Sequence, residues 1–328
     1  MTTKRKFKRK GVFLSSESKH AVTKEMAELT LKEMHLRFMR YKRSEGLAPR
    51  SLNDYEEHFG YLLDFIGGGD LKRNEITADL ILEYKYYMVH NKNLAPGTVN
   101  LRLRTLRAFL KWCYNEGFIN EPIHEKLKKV REPEDKIRNI EPYEVKALLS
   151  VIDDEWYSEY RDKVIILTML DTLMRISECL AVKRKNVDLR NNVIHLEASD
   201  TKTRKARSLP ISVKTAKLLA EYMQETEDFN NEYLFLTYDG RPLNHGTFRK
   251  HLVMYSQRAG LDKVVTPHML RHTGSLLYLL NGGNIFSLQK ILGHSTLEMT
   301  RRYVQFTESH LNEVHEDFSA VNSIFKVK

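Results

Sequence analysis

Cysteine is scarce in this sequence: 328 residues include only two, Cys113 and Cys179, and these lie far apart. The scarcity excludes a disulfide framework and a zinc site made of paired cysteines, and it favours a reducing compartment. No apolar run is long enough to cross a bilayer. The basic N-terminus is not followed by an apolar core, so we expect no signal peptide. Together these absences favour a cytoplasmic protein.

Acidic residues are the minority among the charged side chains, with 43 Asp and Glu against 53 Lys and Arg and a formal net charge of +10. This excess favours a polyanionic partner, most simply nucleic acid, although charge alone also fits a merely soluble basic protein. The carboxylates form no cluster of the kind that would suggest catalysis by two metal ions. We therefore expect neither a metal nor another cofactor.

The length of the chain suffices for two domains of ordinary size. Residues 1–27 are predicted to be a basic tail, which is equally consistent with an arm on the DNA backbone and with a disordered, solubilising extension. Residues 28–120 are interpreted as a helical domain and residues 121–138 as a charged linker. Residues 139–328 would form the second domain. Basic residues dominate the first ten positions: Lys4, Arg5, Lys6, Lys8, Arg9 and Lys10.

Four amphipathic helices are predicted in residues 28–120. Their expected starts are Thr30, Ser51, Thr77 and Gly97-Thr98. Residues 47–51 and 94–98 share a Leu-Ala-Pro break that is followed by a capping residue. We interpret the domain as two packed helix pairs.

Residues 139–328 are predicted to be mostly helical with a small sheet. Two short strands, 193–197 and 207–211, flank a basic hairpin, and residues 233–236 are expected to form another short strand. Helices are expected to start near residues 141, 160, 213, 247 and 266, and Arg175 follows the apolar run of the second of these. A last amphipathic helix is expected over residues 306–325.

Four polar side chains occur where local structure would present them: His268, Arg271, His294 and Tyr303. Thr266-Pro267 starts a helix on which the first two share a face. The histidine that follows lies at a turn after Gly293. A capping box of Ser295 and Glu298 then starts a further helix, which would carry the tyrosine about two turns along.

These residue types fit one kind of chemistry when they are taken as an ordered set. Arginine offers a forked cation to phosphate oxygens, and histidine donates hydrogen bonds or moves protons near neutral pH. Tyrosine can be a covalent nucleophile. Each residue alone is a weak indication, but together they suit phosphoryl transfer, in which catalysis is mainly positioning and charge stabilisation.

In order and spacing, the set resembles the C-terminal motifs of the tyrosine recombinase (phage integrase) family, two-domain type. The family motifs are H-x-L-R-H-T, then Q-x-x-L-G-H, then a nucleophilic tyrosine nine positions later. This chain has His268-Met-Leu-Arg271-His272-Thr273, Gln289-Lys-Ile-Leu292-Gly293-His294 and Tyr303. The resemblance covers most of the chain from about residue 30. It implies a mainly α fold, with a helical core-binding domain and a mixed α+β catalytic domain.

The resemblance implies site-specific DNA recombination through a 3′-phosphotyrosyl intermediate formed by Tyr303. Arg175 and Arg271 would hold the scissile phosphate, and His294 would donate a hydrogen bond to it. His268 would be the general base toward the tyrosine. The family also places a general-acid lysine in the hairpin, with Lys202 the best match by position.

Two positions in this site are left open by the sequence. Lys205 is the alternative to Lys202 as the hairpin lysine. The family usually has glycine two positions before its first motif arginine, where this chain has Leu173, so the turn before Arg175 is of uncertain shape.

Further basic residues are predicted to contact DNA: Arg102, Arg104, Arg107, Lys111, Arg204, Lys205 and Arg249. The alternative is that such charges form a solvated face. The resemblance implies a homotetramer on two double-stranded recombination sites, with residues 306–325 donated to a neighbouring protomer rather than packed on their own domain. Accessory proteins stay open, and no membrane partner is expected.

The favoured biological role is recombination for a mobile element. The alternatives are Xer-like multimer resolution, relaxation of DNA by a type IB topoisomerase-like enzyme, and a non-catalytic DNA-binding protein on the same fold. A protein of the last class would be expected to have lost a site residue, and all six catalytic positions are present.

Overall fold

The computed structural model of the chain describes residues 29–132, 139–201, 205–301, 303, 321 and 324. The chain divides into two compact units, Met1–Asp135 and Lys136–Lys328. The helix predicted over residues 306–325 lies outside the described residues, apart from two isolated positions. None of the described helices is long and apolar enough to cross a membrane.

The first unit is built from helices around one apolar core. The helices are α1 Leu31–Ser44, α2 Pro49–Phe65, α3 Ala78–Tyr86, α4 Pro96–Asn115 and α5 Ile123–Lys126. A short 3₁₀ helix, Arg73–Glu75, precedes α3, and a π-helical turn, Tyr87–Asn91, extends it. The four helices predicted for this region are therefore present.

The starts of these helices follow two different rules. Thr30 caps α1 as predicted, because its hydroxyl accepts from the amide of Glu33 at 3.3 Å and the Glu33 carboxylate accepts from the amide of Thr30 at 3.0 Å. The predicted capping by Ser51 and Thr98 is wrong. Helices α2 and α4 begin earlier, at Pro49 and Pro96, without a side-chain cap. Proline suits this position because its φ is already helical and it has no amide hydrogen to satisfy.

The core of the first unit continues past residue 120, where the sequence placed the start of the linker. Ile123 and Leu127 are buried in the same cluster as Phe38 of α1 and Phe109 of α4. Asn100 also binds Val130 twice through its side chain, at 2.9 and 2.8 Å. The contacts of this charged segment therefore tie it to the helical unit.

The second unit combines helices with a small antiparallel sheet. Its helices are α6 Pro142–Ser150, α7 Tyr157–Thr172, α8 Ile176–Leu180, α9 Val213–Glu225, α10 His245–Arg258, α11 Pro267–Leu280, α12 Ile285–Leu292 and α13 Glu298–Arg301. Its strands are β1 Val187–Asp188, β2 Val193–Leu196 and β3 Arg207–Pro210, in the order β1-β2-β3. The mainly α fold with a small sheet is thus confirmed.

The hairpin between β2 and β3 was predicted, and its register pairs Val193 with Pro210 and Leu196 with Arg207. The strand predicted at residues 233–236 is wrong. Leu234 and Phe235 are buried there as part of a loop, and isolated bridges replace a ladder. The Leu234 amide donates to the carbonyl of Val182 at 2.9 Å, which satisfies this buried backbone without a strand.

Helix α11 packs closely against α7, and glycine makes this approach possible. A Cβ atom at Gly274 would lie 2.5 Å from both the carbonyl oxygen of Leu170 and the Cδ2 of Leu173. The two helices share the core formed by residues such as Ile166, Met169 and Leu270. This contact sets the position of Arg271, which lies on α11 one turn before the glycine.

Candidate active site

A left-handed turn delivers the first of the predicted arginines. Helix α7 ends at Thr172, and the next residue, Leu173, is its C-terminal cap, with φ 57° and ψ 19° and a buried side chain. The next helix, α8, follows directly, and Arg175 is its N-terminal cap residue. A leucine in this conformation costs about 1–2 kcal/mol, which glycine would avoid. The leucine therefore does not abolish the left-handed turn, and burial of its side chain offsets the strain.

Arg175 shares a buried carboxylate with a second arginine, Arg207. Glu178 is fully buried, and its Oε1 accepts from Nη1 of Arg175 at 3.0 Å. Arg207 donates to both oxygens of the same carboxylate, at 3.2 and 2.7 Å. Burial alone would raise the pKa of Glu178, but hydrogen bonds from Arg207 and the Arg175 amide outweigh it and hold the pKa below its usual value.

Arg271 lies at the centre of the site and is 5% exposed. Its guanidinium donates to the carbonyl oxygen of Leu173 and, at 2.9 Å, to that of Leu292. Burial and the nearby charge of Arg175 lower its pKa to about 10. Arg271 therefore stays charged at neutral pH, although its surroundings disfavour that charge.

His294 follows the glycine that ends α12 and lies beside Arg271. Its Nε2 is 3.4 Å from Nη2 of Arg271, and its Nδ1 is 2.9 Å from the hydroxyl of Thr300. Burial, followed by the charges of Arg271 and Arg175, lowers its pKa to about 4. Since a guanidinium can only donate, Nε2 accepts and the proton of the neutral ring lies on Nδ1.

Tyr303 is 2% exposed and lies in a turn just after α13, with its amide donating to the carbonyl of Thr300 at 3.0 Å. The predicted position two turns along a helix is wrong, because α13 is a single turn that begins only at Glu298. The predicted capping box of Ser295 and Glu298 is also wrong, because the helix begins at Glu298 and the hydroxyl of Ser295 instead contacts the sulfur of Met299 at 3.8 Å.

The hydroxyl of Tyr303 lies 2.6 Å from Nδ1 of His272. The resemblance implies that His268 is the general base toward this hydroxyl, and His268 is exposed on the first turn of α11. His272 is four residues further along the same helix and therefore shares a face with His268. That spacing was the available indication that His272 belongs to the site, but His272 was not predicted. Glu178, Arg207 and Thr300 were not predicted either.

The other predicted site residues are distributed over both units. Lys202 and Arg204 lie outside the described residues. Lys205 is exposed, and its amide donates to the hydroxyl of Thr201 at 3.0 Å. Arg249 is exposed on α10. In the described parts of the chain, no group of three or more His, Cys, Asp or Glu side chains is arranged to hold a metal ion.

The predicted DNA-binding residues of α4 divide into two pairs. Arg104 and Lys111 are exposed and lie two turns apart on one face. Arg107 is half-buried, as is Arg102, whose guanidinium lies 3.7 Å from the ring centroid of Tyr61. The first pair is therefore more accessible to a polyanion than the second.

Comparison with known proteins gives consistent matches over both units. Residues 138–310 match the phage integrase family, and residues 30–130 match the phage integrase SAM-like domain. A curated relative is tyrosine recombinase XerA of Thermococcus kodakarensis, 30% identical over 290 residues, which cover 88% of this chain and 95% of the relative.

Two solved structures have the same fold at lower identity. The Tn1549 transposon integrase in complex with a circular intermediate DNA has a TM-score of 0.71 and 18% identity, covering 88% of this chain and 100% of that one. A lambda integrase tetramer bound to a Holliday junction has a TM-score of 0.69 and 17% identity, covering 87% and 83%.

Proposed function

Since this chain belongs to the phage integrase family and is a site-specific tyrosine recombinase that cuts and rejoins DNA, we propose that Tyr303 is its nucleophile. The observation that carries this proposal is the setting of the Tyr303 hydroxyl. It is bound to a histidine and is close enough to Arg271 to influence the pKa of that arginine. A tyrosine beside a proton acceptor and a buried cation is suited to attack on a phosphodiester.

In the proposed step, the Tyr303 oxygen bonds to the scissile phosphorus and the bond to the 5′ oxygen breaks. The products are a 3′-phosphotyrosyl link and a free 5′-hydroxyl. The 5′-hydroxyl of a second DNA then reverses the step and rejoins the strand. The bond energy is kept in the phosphotyrosine, so the exchange needs no ATP.

Arg175 and Arg271 would hold the non-bridging oxygens of the scissile phosphate. The support is electrostatic, because the carboxylate of Glu178 is paired with both Arg175 and Arg207, while the guanidinium of buried Arg271 donates to two backbone carbonyls, which carry no full charge. After burial, which is the larger cause, the positive charge of Arg175 lowers the pKa of Arg271, which means that the two cations repel each other. A phosphate between them would relieve that repulsion, and more so as charge grows on its oxygens in the transition state.

Proton transfer would involve residues at the two ends of the scissile bond. We assign the proton of Tyr303 to His272, whose Nδ1 is within hydrogen-bond reach. His268, which the resemblance favours, is the competing candidate. Lys202 would donate the proton to the leaving 5′ oxygen, with Lys205 as the alternative. His294 would donate a hydrogen bond to the phosphate from Nε2 in its protonated form, which a bound anion favours.

The larger assembly in this proposal is a homotetramer on two DNA sites, acting in the cytoplasm and serving a mobile element. The lambda integrase relative is a tetramer bound to a Holliday junction, and the Tn1549 relative is bound to a circular intermediate of a transposon. Residues 306–325 would connect neighbouring protomers. The alternative role is Xer-like multimer resolution, which the similarity to tyrosine recombinase XerA supports. An assay for recombination between two marked DNA sites would distinguish both of these roles from simple relaxation of DNA.

The experiment that tests the nucleophile is covalent trapping. The wild-type protein and Tyr303→Phe are incubated with nicked DNA drawn from the sequence next to its own gene, and the mixtures are run on a denaturing gel. We expect a shifted protein band for the wild type and none for the variant, with DNA binding unchanged. An adduct formed by Tyr303→Phe would show that another residue is the nucleophile.

A further inference from the structure

Arg207 connects three parts of the candidate site through one side chain. It is the first residue of β3, directly after the hairpin that carries the predicted lysine. Its Nη1 and Nη2 bind the carboxylate of Glu178 on α8, and its Nε donates to the carbonyl of Ile291 on α12 at 3.0 Å. A paired and largely buried guanidinium of this kind fixes the elements that it joins.

The turn that leads to His294 is shaped around the same guanidinium. A Cβ atom at Gly293 would lie 3.2 Å from both Cζ and Nη1 of Arg207, closer than side chains normally approach. Gly293 also has φ 66°, in the left-handed region that glycine tolerates. The glycine therefore serves both the backbone turn and the space that Arg207 occupies.

The charge balance explains why a second arginine is needed on Glu178. This carboxylate is fully buried, and a buried charge that loses its partner is strongly unfavourable. Arg175 has to turn its guanidinium toward a phosphate if it is to hold one. Because Arg207 makes two bonds to Glu178 and Arg175 makes one through its guanidinium, the carboxylate stays paired when Arg175 leaves.

We propose that Arg207 is a positioning residue for strand cleavage, an inference that rests on the proposed function. It keeps Glu178 ionised and paired, so that Arg175 is free to bind the scissile phosphate. It also holds the turn of His294 against the hairpin strand. Arg207 acts through Arg175 and His294 and does not itself touch the phosphate.

The test compares rates of covalent adduct formation on nicked DNA for Arg207→Gln and Arg207→Lys. We expect a loss of about 10- to 100-fold for Gln, by analogy with metal sites, where removing a partner that orients a ligand has an effect of this size. Lysine keeps the positive charge but lacks the planar guanidinium that binds both carboxylate oxygens, so an intermediate loss is expected. The dissociation constant for DNA should stay within about twofold, because the rate and not the binding depends on the orientation of Arg175.

A second measurement separates this role from a merely structural one. Arg207→Gln is combined with Arg175→Ala, and the slow adduct formation is followed over hours. If Arg207 acts mainly through Arg175, the double variant should be much less impaired than the product of the two single losses. The double variant leaves the buried carboxylate of Glu178 without these two partners, so its folding is first checked by unfolding in urea. In a folded double variant, a fully multiplicative loss would overturn the role of Arg207 through Arg175, since it would mean that the two arginines act independently.

Arg184→Gln provides the matched control. Arg184 is a half-buried arginine of the same unit whose Nη1 donates to the hydroxyl of Thr226 at 2.8 Å. We expect its loss to leave the adduct rate unchanged. A normal rate in folded Arg207→Gln would refute the inference, and if that variant does not fold, a normal rate in Arg207→Lys would do so. Absence of adduct in the wild type would instead count against the proposed function.

Discussion

The hydroxyl of Tyr303 and the imidazole of His272 form the contact on which the proposed cleavage most directly depends. If His272 is the general base, His272→Ala should slow adduct formation about 10²- to 10⁴-fold. His268→Ala, one turn earlier on the same helix, is the natural comparison and should have a smaller effect. The measurement is single-turnover trapping on nicked DNA. A normal rate in His272→Ala together with a slow rate in His268→Ala would return the role to His268.

The pKa of His294 can be used to test whether the site binds an anion. Its pKa is lowered to about 4 by burial and by neighbouring cations, foremost Arg271, so the free protein has a neutral ring at pH 7. A bound phosphate analogue such as vanadate adds negative charge, which favours the imidazolium, so the pKa should rise. We expect NMR titration of the imidazole to show this rise. The chemical shift of exposed His195 should not respond to the anion, and an unchanged pKa of His294 would argue against anion binding here.

Leu173 allows two opposing effects to be weighed at one residue. Leu173→Gly relieves about 1–2 kcal/mol of left-handed strain. It also removes a buried side chain that packs in the cluster of Leu288, Leu292 and Tyr303, and large-to-small changes in cores cost about 2–5 kcal/mol. The lost packing outweighs the relieved strain, so we expect unfolding in urea to show a net destabilisation of about 1–3 kcal/mol. A stabilised variant would mean that strain dominates at this turn.

At the scale of elements, the contact between α7 and α11 fixes the distance between the two arginine-bearing segments. Gly274→Ala introduces a Cβ against the backbone of Leu170, which cannot move as a flexible side chain would. We expect a loss of about 1–3 kcal/mol in stability, the usual cost of overpacking, together with slower adduct formation because Arg271 is displaced.

Gly60→Ala is the control for this substitution. Gly60 lies within α2, and a Cβ there would meet nothing within 4 Å. Alanine is favoured over glycine in a helix by about 1 kcal/mol, so this variant should be neutral or slightly more stable. If both glycine variants changed stability alike, close packing would not explain the effect at Gly274.

The sequence could predict part of the fold and of the site, depending on how far apart in the chain the interacting residues lie. Local rules sufficed where the determinants are close in sequence, as for the cap at Thr30 and the hairpin of β2 and β3. The motif order likewise led to the family, which the matches confirm. The contact of His272 with Tyr303 spans 31 residues and that of Arg207 with Glu178 spans 29. Such pairs depend on how whole elements pack. Helical spacing could mark His272 as a candidate, but it could not show that this residue meets Tyr303.

At the scale of the whole molecule, the net charge of +10 is expected to act on DNA through particular side chains. Arg104 and Lys111 are exposed on one face of α4, and neither forms a salt bridge within the part of the chain that the structure describes. A cation that contacts a phosphate releases a counterion, so affinity falls with salt in proportion to the number of such contacts. The salt dependence of binding therefore counts the cations that meet DNA.

Arg104→Ala and Lys111→Ala should each reduce the slope of log affinity against log salt concentration by about 1. Arg43→Ala is the control, because Arg43 is also exposed in this unit but its guanidinium is paired with Glu56 at 2.6 Å. Its partner carboxylate already compensates the charge, so the slope should not change. Fluorescence anisotropy across a range of KCl concentrations measures all three variants. Wild-type slopes for both α4 variants would mean that these cations form a solvated face, and the affinity of the molecule would then have to come from other basic residues.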